Sequence, residues 1–226
     1  MKNSFVFTIK NFNNNVKKTL DLNLKELGKN KNFEFIILSC SNDQQLNLYI
    51  DKNLCNGFDL KYYRPLKDNV TSALIKNFYL KLADNKFITF LSETAIINTY
   101  FLLNLSLLKG NKILFADDNR FGLFLTAHRD TFLKLNGFDI SLFSTSLNVE
   151  DDDFKNRIVF SRAAEPVILD IEKIAYSQKV ILNCDKIVAS VYDNYTSFKN
   201  ISTCRYILPT LNTANNIVLN NELTLN

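Results

Sequence analysis

The most informative segment of this chain for chemistry is a run of four consecutive carboxylates, Glu150 to Asp153. Adjacent carboxylates repel one another, so such a run is useful where it accepts protons, binds a metal or holds the hydroxyl groups of a ligand. The alternative is structural, since acidic residues also favour the first turn of a helix, where the helix dipole stabilises negative charge. Spacing alone leaves both interpretations open. The run closely follows the segment Arg129–Asp139, and we expect the two segments to form one functional unit.

Few other residues have types and spacings that indicate catalysis or metal binding. The single histidine, His128, precedes a predicted helix start, where a structural or solvent-exposed role is favoured over catalysis. Asp117 and Asp118 precede an Asn-Arg pair, and this composition favours a polar loop over a metal motif. The four cysteines lack C-x-x-C spacing, which predicts reduced, mostly buried thiols in a cytoplasmic protein.

The first half of the chain alternates between strand-like and helix-like patterns. Apolar, β-branched and aromatic runs predict strands, and apolar residues at helical spacing predict helices between them. The predicted strands are 5–9, 33–38, 58–63 and 87–91, and the predicted helices are 16–27, 46–53 and 71–83. This alternation predicts an α/β fold with a mostly parallel central sheet covered by helices on both faces. Ligands bind such sheets beyond the carboxyl ends of the strands, so polar residues that follow strands are the site candidates.

The second half has a less regular pattern. The predicted elements are strands at 111–115 and 121–126, a helix at 129–135 that ends at Asn136-Gly137, and a helix from the acidic run to Phe160. Beyond Pro166 only 179–182 and 186–192 look strand-like, and the tail from Thr210 is polar. We therefore expect a single domain in residues 1–165, with residues 166–226 as a C-terminal extension packed on it.

Composition and charge exclude several classes of protein. With 226 residues and 46% hydrophobic content, the chain is expected to form one packed domain. Its net charge of +4 is spread along the chain without a basic stripe, which argues against nucleic acid as a partner. The apolar run from Ala95 to Leu108 is interrupted by polar residues and predicts a buried helix, not a transmembrane segment. The N-terminal apolar run is too short for a signal peptide, so we expect a cytoplasmic protein.

The polar residues that follow the strands, together with the central segment, carry a resemblance to a known family. They are Lys10-Asn11, Ser41-Asn42-Asp43, Asn77 and Ala83, and then the segments 122–127, 132–139 and 150–153. On these residues the chain resembles nucleotide-sugar glycosyltransferases of the GT-A fold. Its first half resembles the family-two-like enzymes, and its centre is similar to the β-1,4-galactosyltransferases and chondroitin-type polymerases. The resemblance implies a nucleotide-binding half at 1–95 and an acceptor half at 96–165.

The resemblance implies roles for the matching residues. Asp151 is implied as the general base that takes the proton of an acceptor hydroxyl. Acceptor binding is implied for Glu150, Asp152 and Gly122, and nucleotide binding for Lys10, Asn11, Asp43 and Asn77. Of these, the glycine would let the backbone approach the donor sugar closely.

The same resemblance implies a reaction and its partners. The donor would be a nucleotide-sugar, in particular a UDP-sugar, and the acceptor would be a saccharide or glycoconjugate hydroxyl, as in polysaccharide biosynthesis. Transfer would proceed with inversion in one displacement, for which no covalent nucleophile is needed. A partner transferase could act beside this chain.

The chain departs from the family where a divalent metal is usually bound. The Asp-x-Asp motif that follows the fourth strand in these enzymes is replaced by Ser92-Glu93-Thr94. Three interpretations follow. In the first, Glu93 holds Mn²⁺ or Mg²⁺ weakly, with diphosphate oxygens completing the shell. In the second, Arg120, Arg129 or Lys76 pairs with phosphate in place of a metal. Alternatively, the chain is a catalytically inactive sugar- or nucleotide-binding protein.

Overall fold

A twisted eight-stranded sheet forms the centre of the protein. The computed structural model describes residues 3–27, 32–55, 60–65, 70–117, 124–140, 149–170, 175–176 and 217–219. In this part of the chain the strands of the main sheet are β1 (Asn3–Ile9), β2 (Phe33–Ser39), β3 (Leu60–Pro65), β4 (Phe87–Leu91), β6 (Lys112–Asp117), β7 (Phe124–His128), β8 (Glu165–Asp170) and β10 (Ile217–Leu219). Two short strands, β5 (Ala95–Ile96) and β9 (Ala175–Tyr176), pair antiparallel in a separate small sheet.

The strand order of the main sheet is β10-β3-β2-β1-β4-β7-β6-β8. Strands β1 to β4 run parallel to one another, and β6 runs parallel to β8. Among the described strands of the main sheet, only β7 and β10 are antiparallel to their neighbours. The predicted mostly parallel α/β sheet is therefore confirmed.

Helices cover both faces of this sheet. They are α1 (Asn14–Leu27), α2 (Gln44–Cys55), α3 (Ser72–Leu82), α4 (Thr99–Leu107), α5 (Arg129–Lys134) and α6 (Val149–Ser161). Side chains of a strand alternate between faces, and β1 shows the result. Phe5, Phe7 and Ile9 pack with buried residues of α1, α2 and α4, whereas Val6 packs with those of α3, α5 and α6. A strand buried on both faces reads as a continuous apolar run, as β1 does.

The strand order creates a switch point between β1 and β4. From β1 the chain moves outward through β2 to β3, and α3 then returns it to β4 on the other side of β1. Helix α1, which leaves β1, packs on one face of the sheet, and α3, which leads into β4, packs on the other. The chain order therefore reverses between β1 and β4, and a crevice is expected beyond the carboxyl ends of these two strands. In open α/β sheets this crevice is the usual position of a ligand.

Some predicted elements differ in the structure. The run Ala95–Leu108 is not one buried helix, because it begins with β5 and its helix starts only at Thr99, capped by the Asn98 side chain. Leu103 and Leu107 are 60% and 72% exposed, so only one side of α4 enters the core. No helix among the described residues has the length and hydropathy that a bilayer span requires.

Two edge strands of the main sheet lie beyond the predicted regular part. β8 begins at Glu165 and pairs with β6, and β10 lies in the polar tail and pairs with β3. The division between a domain at 1–165 and an extension at 166–226 stays a prediction, and β8 spans that boundary. The strands predicted at 179–182 and 186–192 lie outside the described residues.

Candidate functional site

The candidate site lies at the switch point, where β1 and β4 end side by side. Lys10 and Asn11 follow β1, Cys40 follows β2, and Glu93 is the second residue after β4. The backbone N–H of Cys40 donates to the carbonyl of Ile9 (2.9 Å), which holds the ends of β1 and β2 together. Polar residues predicted to follow the strands therefore do gather at one edge of the sheet.

The Glu93 carboxylate ties the end of β4 to the end of β1. Its Oε2 accepts a hydrogen bond from the backbone N–H of Lys10 (3.0 Å), and the N–H of Asn11 is a second backbone donor to the same carboxylate. Burial raises the pKa of Glu93, although these two donors and the charge of Lys10 oppose the rise. The carboxylate thus fixes the backbone turn after β1 to the residues that follow β4.

A buried ion cluster connects α3 with the start of α6. The Lys76 ammonium donates to Asp151 Oδ1 at 2.6 Å and to Glu150 Oε1 at 3.1 Å. The Ser72 hydroxyl also donates to Glu150 Oε1. Lys76, Glu150 and Asp151 are only 1%, 2% and 6% exposed, so water contributes little to their solvation. Both carboxylates of the predicted catalytic pair therefore face the protein interior, and Lys76 is their shared partner.

The local sequence explains why these side chains meet. Ser72 and Lys76 are four residues apart on α3, so they project from the same face of that helix. Glu150 and Asp151 lie in the first turn of the 13-residue α6, where the helix dipole favours negative charge. The helix start, one of the two interpretations of the acidic run, is therefore confirmed, and the functional interpretation stays a prediction.

Burial and neighbouring charges act in opposite directions on the two carboxylates. Burial opposes ionisation of Glu150, but the attraction of Lys76 and Lys10 and the Ser72 hydrogen bond outweigh it, so its pKa lies below the ordinary value. Burial raises the pKa of Asp151 to about 6, because attraction to Lys76 is offset by repulsion from Glu150. The pKa of Lys76 is raised because both carboxylates outweigh its desolvation.

An apolar surface surrounds the ammonium of Lys76. Its Nζ lies 5.0 Å from the ring centroid of Phe138 and 5.7 Å from that of Phe90. Phe138 in turn contacts Phe154 of α6, with ring centroids 5.1 Å apart. Because aromatic rings exclude water and present a negative face to a cation, they strengthen the ion pairs of the cluster.

Two polar side chains fix the residues that directly follow α5. The Asn77 amide donates to the Phe138 carbonyl (2.8 Å) and accepts from the Phe138 N–H (2.7 Å). The Arg157 guanidinium donates to Asp153 and to two carbonyls, those of Leu135 and Gly137. The helix end predicted at Asn136-Gly137 is confirmed, since both residues have positive φ, 59° and 72°.

The other predicted site residues are placed as follows. Asp43 caps α2, with Oδ1 accepting from the N–H groups of Gln45 and Leu46 at 2.8 and 3.1 Å. The nucleotide role predicted for it stays a prediction, as does that of Asn77, whose amide is fully buried and bonded at both ends. Asp152 lies in α6, and its side chain is outside the described part; Gly122 lies outside the described residues.

The described residues do not fit a divalent metal. Within the described segments there is no group of three His, Cys, Asp or Glu side chains that could hold an ion. Glu93, the one carboxylate left in the Asp-x-Asp position, already accepts two backbone N–H groups. A hard cation needs several oxygen ligands, so this position supplies too few.

Two of the cations considered as substitutes for a metal are placed elsewhere. Lys76 binds Glu150 and Asp151. Arg129 donates to the Leu80 carbonyl and lies near the amino end of β4, away from the carboxyl ends of the strands. Arg120 lies outside the described residues. Lys10, which was predicted from sequence as a nucleotide contact, is the cation whose charge acts on Glu93, Glu150 and Asp151 together.

Ser72 was not predicted from the sequence, and Lys76 was considered there only as a phosphate partner, in one of three interpretations. The available signal was the pattern of α3, in which Lys76 interrupts an apolar stretch from Ala73 to Leu80. A charged residue at a core-facing position requires a buried partner of opposite sign. His128 has the structural role that was expected, since its Nδ1 accepts from the Asp130 N–H (3.2 Å) at the start of α5.

The fold is that of GT-A nucleotide-sugar transferases. The chain is similar to the mannosyltransferase PcManGT from Pyrobaculum calidifontis, solved with GDP-Man and Mn²⁺, with a TM-score of 0.59 and 12% identity over 75% of this chain and 55% of that one. It is also similar to residues 1–349 of TarS from S. aureus in complex with UDP-GlcNAc (TM-score 0.54, 18% identity, 78% of this chain and 57% of that one).

A third solved structure covers more of the chain. Glucosyl-3-phosphoglycerate synthase from Mycobacterium tuberculosis, in complex with Mn²⁺, UDP and phosphoglyceric acid, gives a TM-score of 0.57 and 11% identity over 89% of this chain and 78% of that one. The chain spans less than three fifths of the length of the mannosyltransferase and TarS structures. No family model and no curated protein sequence matches it.

Proposed function

We propose that this chain is a glycosyltransferase that moves a sugar from a nucleotide-sugar donor to a saccharide hydroxyl with inversion. The observation that carries the proposal is the buried Glu150–Asp151 pair, which Lys76 holds where the charge of Lys10, the residue after β1 at the switch point, acts on both carboxylates. Paired carboxylates with opposite pKa shifts are typical of sites that transfer protons.

Asp151 is the proposed general base. As the acceptor oxygen attacks the anomeric carbon, its proton passes to Asp151, and the bond between that carbon and the diphosphate oxygen breaks with its electron pair leaving on the diphosphate. Lys76 binds Oδ1, so Oδ2 is the oxygen assigned to the acceptor hydroxyl, which it would contact directly or through one water. One displacement of this kind inverts the anomeric centre.

Lys10, Asn11 and Asp43 are the proposed nucleotide contacts. Lys10 and Asn11 follow the central strand β1 at the crevice, and their turn is held by Glu93. The Lys10 ammonium would offset charge that develops on the departing diphosphate. UDP is the favoured nucleotide because of the family resemblance, and it is also present in the synthase structure.

No step of this proposal passes through a metal. Both the mannosyltransferase and the synthase were solved with Mn²⁺. In this chain the described residues do not form a group that fits the ion, so a donor-bound metal would depend on phosphate oxygens for its coordination.

The test is donor turnover with a matched pair of variants. Nucleoside diphosphate release from UDP-GlcNAc, UDP-galactose and GDP-Man is measured with a panel of oligosaccharide acceptors, and UDP binding is measured by calorimetry. Asp151→Asn should lower transfer at least about 100-fold, the contribution expected of a general base, and leave UDP binding unchanged. Asp130→Asn, an exposed carboxylate at the opposite edge of the sheet, is the control and should retain transfer.

The second candidate is a non-catalytic nucleotide- or sugar-binding protein. It is favoured by one observation, that the only carboxylate in the Asp-x-Asp position is used by backbone N–H groups. UDP binding with no diphosphate release from any donor would support this candidate over the transferase.

A further inference from the structure

The buried cluster contains more negative than positive charge. Two carboxylates, Glu150 and Asp151, share one ammonium, that of Lys76, and all three side chains are buried. Lys76 is therefore the group on which the arrangement of the pair depends. Isolated buried carboxylates would be protonated or would turn toward solvent.

We propose that Lys76 is a positioning residue for the transfer reaction, whose ammonium fixes the orientation of Asp151 so that one carboxylate oxygen is presented to the acceptor. The inference rests on the proposed function, because it assigns Lys76 a task in that same site.

Helix geometry explains why one cation is needed for this task. Adjacent residues on an α-helix project about 100° apart, so Glu150 and Asp151 do not naturally point to one place. Lys76 contacts both, Oε1 of Glu150 and Oδ1 of Asp151, and so determines the rotamers of both carboxylates. Ser72, one turn earlier on α3, donates to the same Glu150 oxygen and so also fixes the orientation of the Glu150 carboxylate.

The charge of Lys76 also determines the pH range in which Asp151 is ionised. The charged groups that act on Asp151 are Lys76 on α3, Glu150 on α6 and Lys10 after β1. Cys40 after β2 is acted on by the same three groups and by Glu93 after β4. Among them Lys76 is the largest influence that favours the ionised carboxylate. Removing its charge should therefore raise the pKa of Asp151 further, by about 1 to 3 pH units.

The first test does not require turnover. Aspartate carboxyl carbons are labelled with ¹³C, and the Asp151 resonance is identified as the one lost in Asp151→Asn. Its titration midpoint should move up by about 1 to 3 pH units in Lys76→Met relative to wild type. Lys134→Met, an exposed lysine on α5, is the control and should leave the midpoint unchanged. An unmoved midpoint in Lys76→Met would overturn the inference.

A reciprocal measurement covers the case in which Lys76→Met does not fold. Asp151→Asn is nearly isosteric, and it removes the closest carboxylate from Lys76. With lysine Cε labelled, the pKa of Lys76 should fall in Asp151→Asn by about one unit or more. An unchanged Lys76 pKa in that variant would contradict the pairing on which the inference depends.

The second test separates positioning from stability. In Lys76→Met the acid limb of the pH profile of kcat should move to higher pH, and kcat should recover toward the wild-type value above that limb. In Lys76→Arg the positive charge is kept, so the acid limb should stay at the wild-type pH. A merely structural lysine would lower the rate equally at every pH. If no donor is turned over, the proposed function fails, and the two titrations still decide whether Lys76 controls Asp151.

Discussion

The Nζ atom of Lys76 lies 2.6 Å from Oδ1 of Asp151, although the two residues are 75 positions apart in the chain. This contact joins α3, which connects β3 with β4, to α6, which follows the antiparallel strand β7. It therefore links the two halves of the sheet on the side of the molecule where the candidate site lies. We therefore expect both the stability of the protein and the protonation of the Glu150–Asp151 pair to depend on the Lys76–Asp151 ion pair.

Loss of the Lys76 charge should destabilise the fold strongly. Lys76→Met leaves two buried carboxylates without their cation, which typically costs about 3 to 5 kcal/mol of unfolding free energy. Lys17→Met is the control, since Lys17 and Asp21 form an exposed i,i+4 pair on α1 whose loss should cost less than about 0.5 kcal/mol. Urea denaturation of both variants measures the difference. Equal, small losses would mean that the buried pair contributes no more than the surface one.

Asn77 should be important for stability because it holds the segment after α5. Asn77→Ala leaves the buried N–H and C=O of Phe138 without their partner, which should cost about 2 to 4 kcal/mol. Asn104→Ala, which removes one contact to the Tyr100 carbonyl on α4, is the control and should cost less than about 0.5 kcal/mol. Hydrogen exchange gives a local readout: the Phe138 amide should lose protection in Asn77→Ala. Unchanged protection would contradict the assigned contact.

The central sheet could be predicted from sequence because its signals are local. Strand β1 is a largely apolar run, and α1 shows apolar residues at helical spacing. Each element can therefore be predicted from its own short stretch of sequence. The edge strands β8 and β10 could not be predicted in the same way. β8 begins with Glu165-Pro166 and has the exposed Ile168, a pattern that an edge strand tolerates but that resembles a loop.

The position of the site at the carboxyl ends of the strands could be predicted from the sequence, but its side-chain contacts could not. That Lys10 and Glu93 both follow strands placed them at one edge, since carboxyl ends of parallel strands meet there. The pairing of Lys76 with Asp151 depends on how two distant helices pack, which no local pattern encodes. Lys76 was accordingly considered as a phosphate partner, in one of three interpretations, and its position in the apolar stretch of α3 was the only sign of a buried partner.

Addition of Mn²⁺ should change the Tm of the wild-type protein and of the Glu93→Gln variant equally. Because the Glu93 carboxylate already accepts two backbone N–H groups, Glu93→Gln should cost about 1 to 2 kcal/mol through the loss of one of them. Addition of Mn²⁺ without nucleotide should then change the Tm of wild type and Glu93→Gln by the same amount. Glu26→Gln, an exposed position on α1, controls for the charge. A larger manganese-induced rise in wild type than in Glu93→Gln would identify Glu93 as a metal ligand after all.

The pH dependence of stability should show the raised pKa of Asp151. Burial raises that pKa from 3.8 to about 6, so between these values the folded state binds more protons at this site than the unfolded state. This contribution to stability is fully present below pH 3.8 and is lost as the pH rises through about 6. Glu150 acts in the opposite sense, because its pKa is lowered and its contribution is lost as the pH falls.

Comparison of wild type with Asp151→Asn separates the two contributions. The unfolding free energy of wild type minus that of the variant should decrease by on the order of 2 kcal/mol from pH 4 to pH 7 and stay constant at higher pH. Asp21→Asn, at an exposed ion pair, should give a difference that does not fall across this range. If the Asp151→Asn difference instead rises with pH, the carboxylate is ionised throughout and Lys76 outweighs its burial.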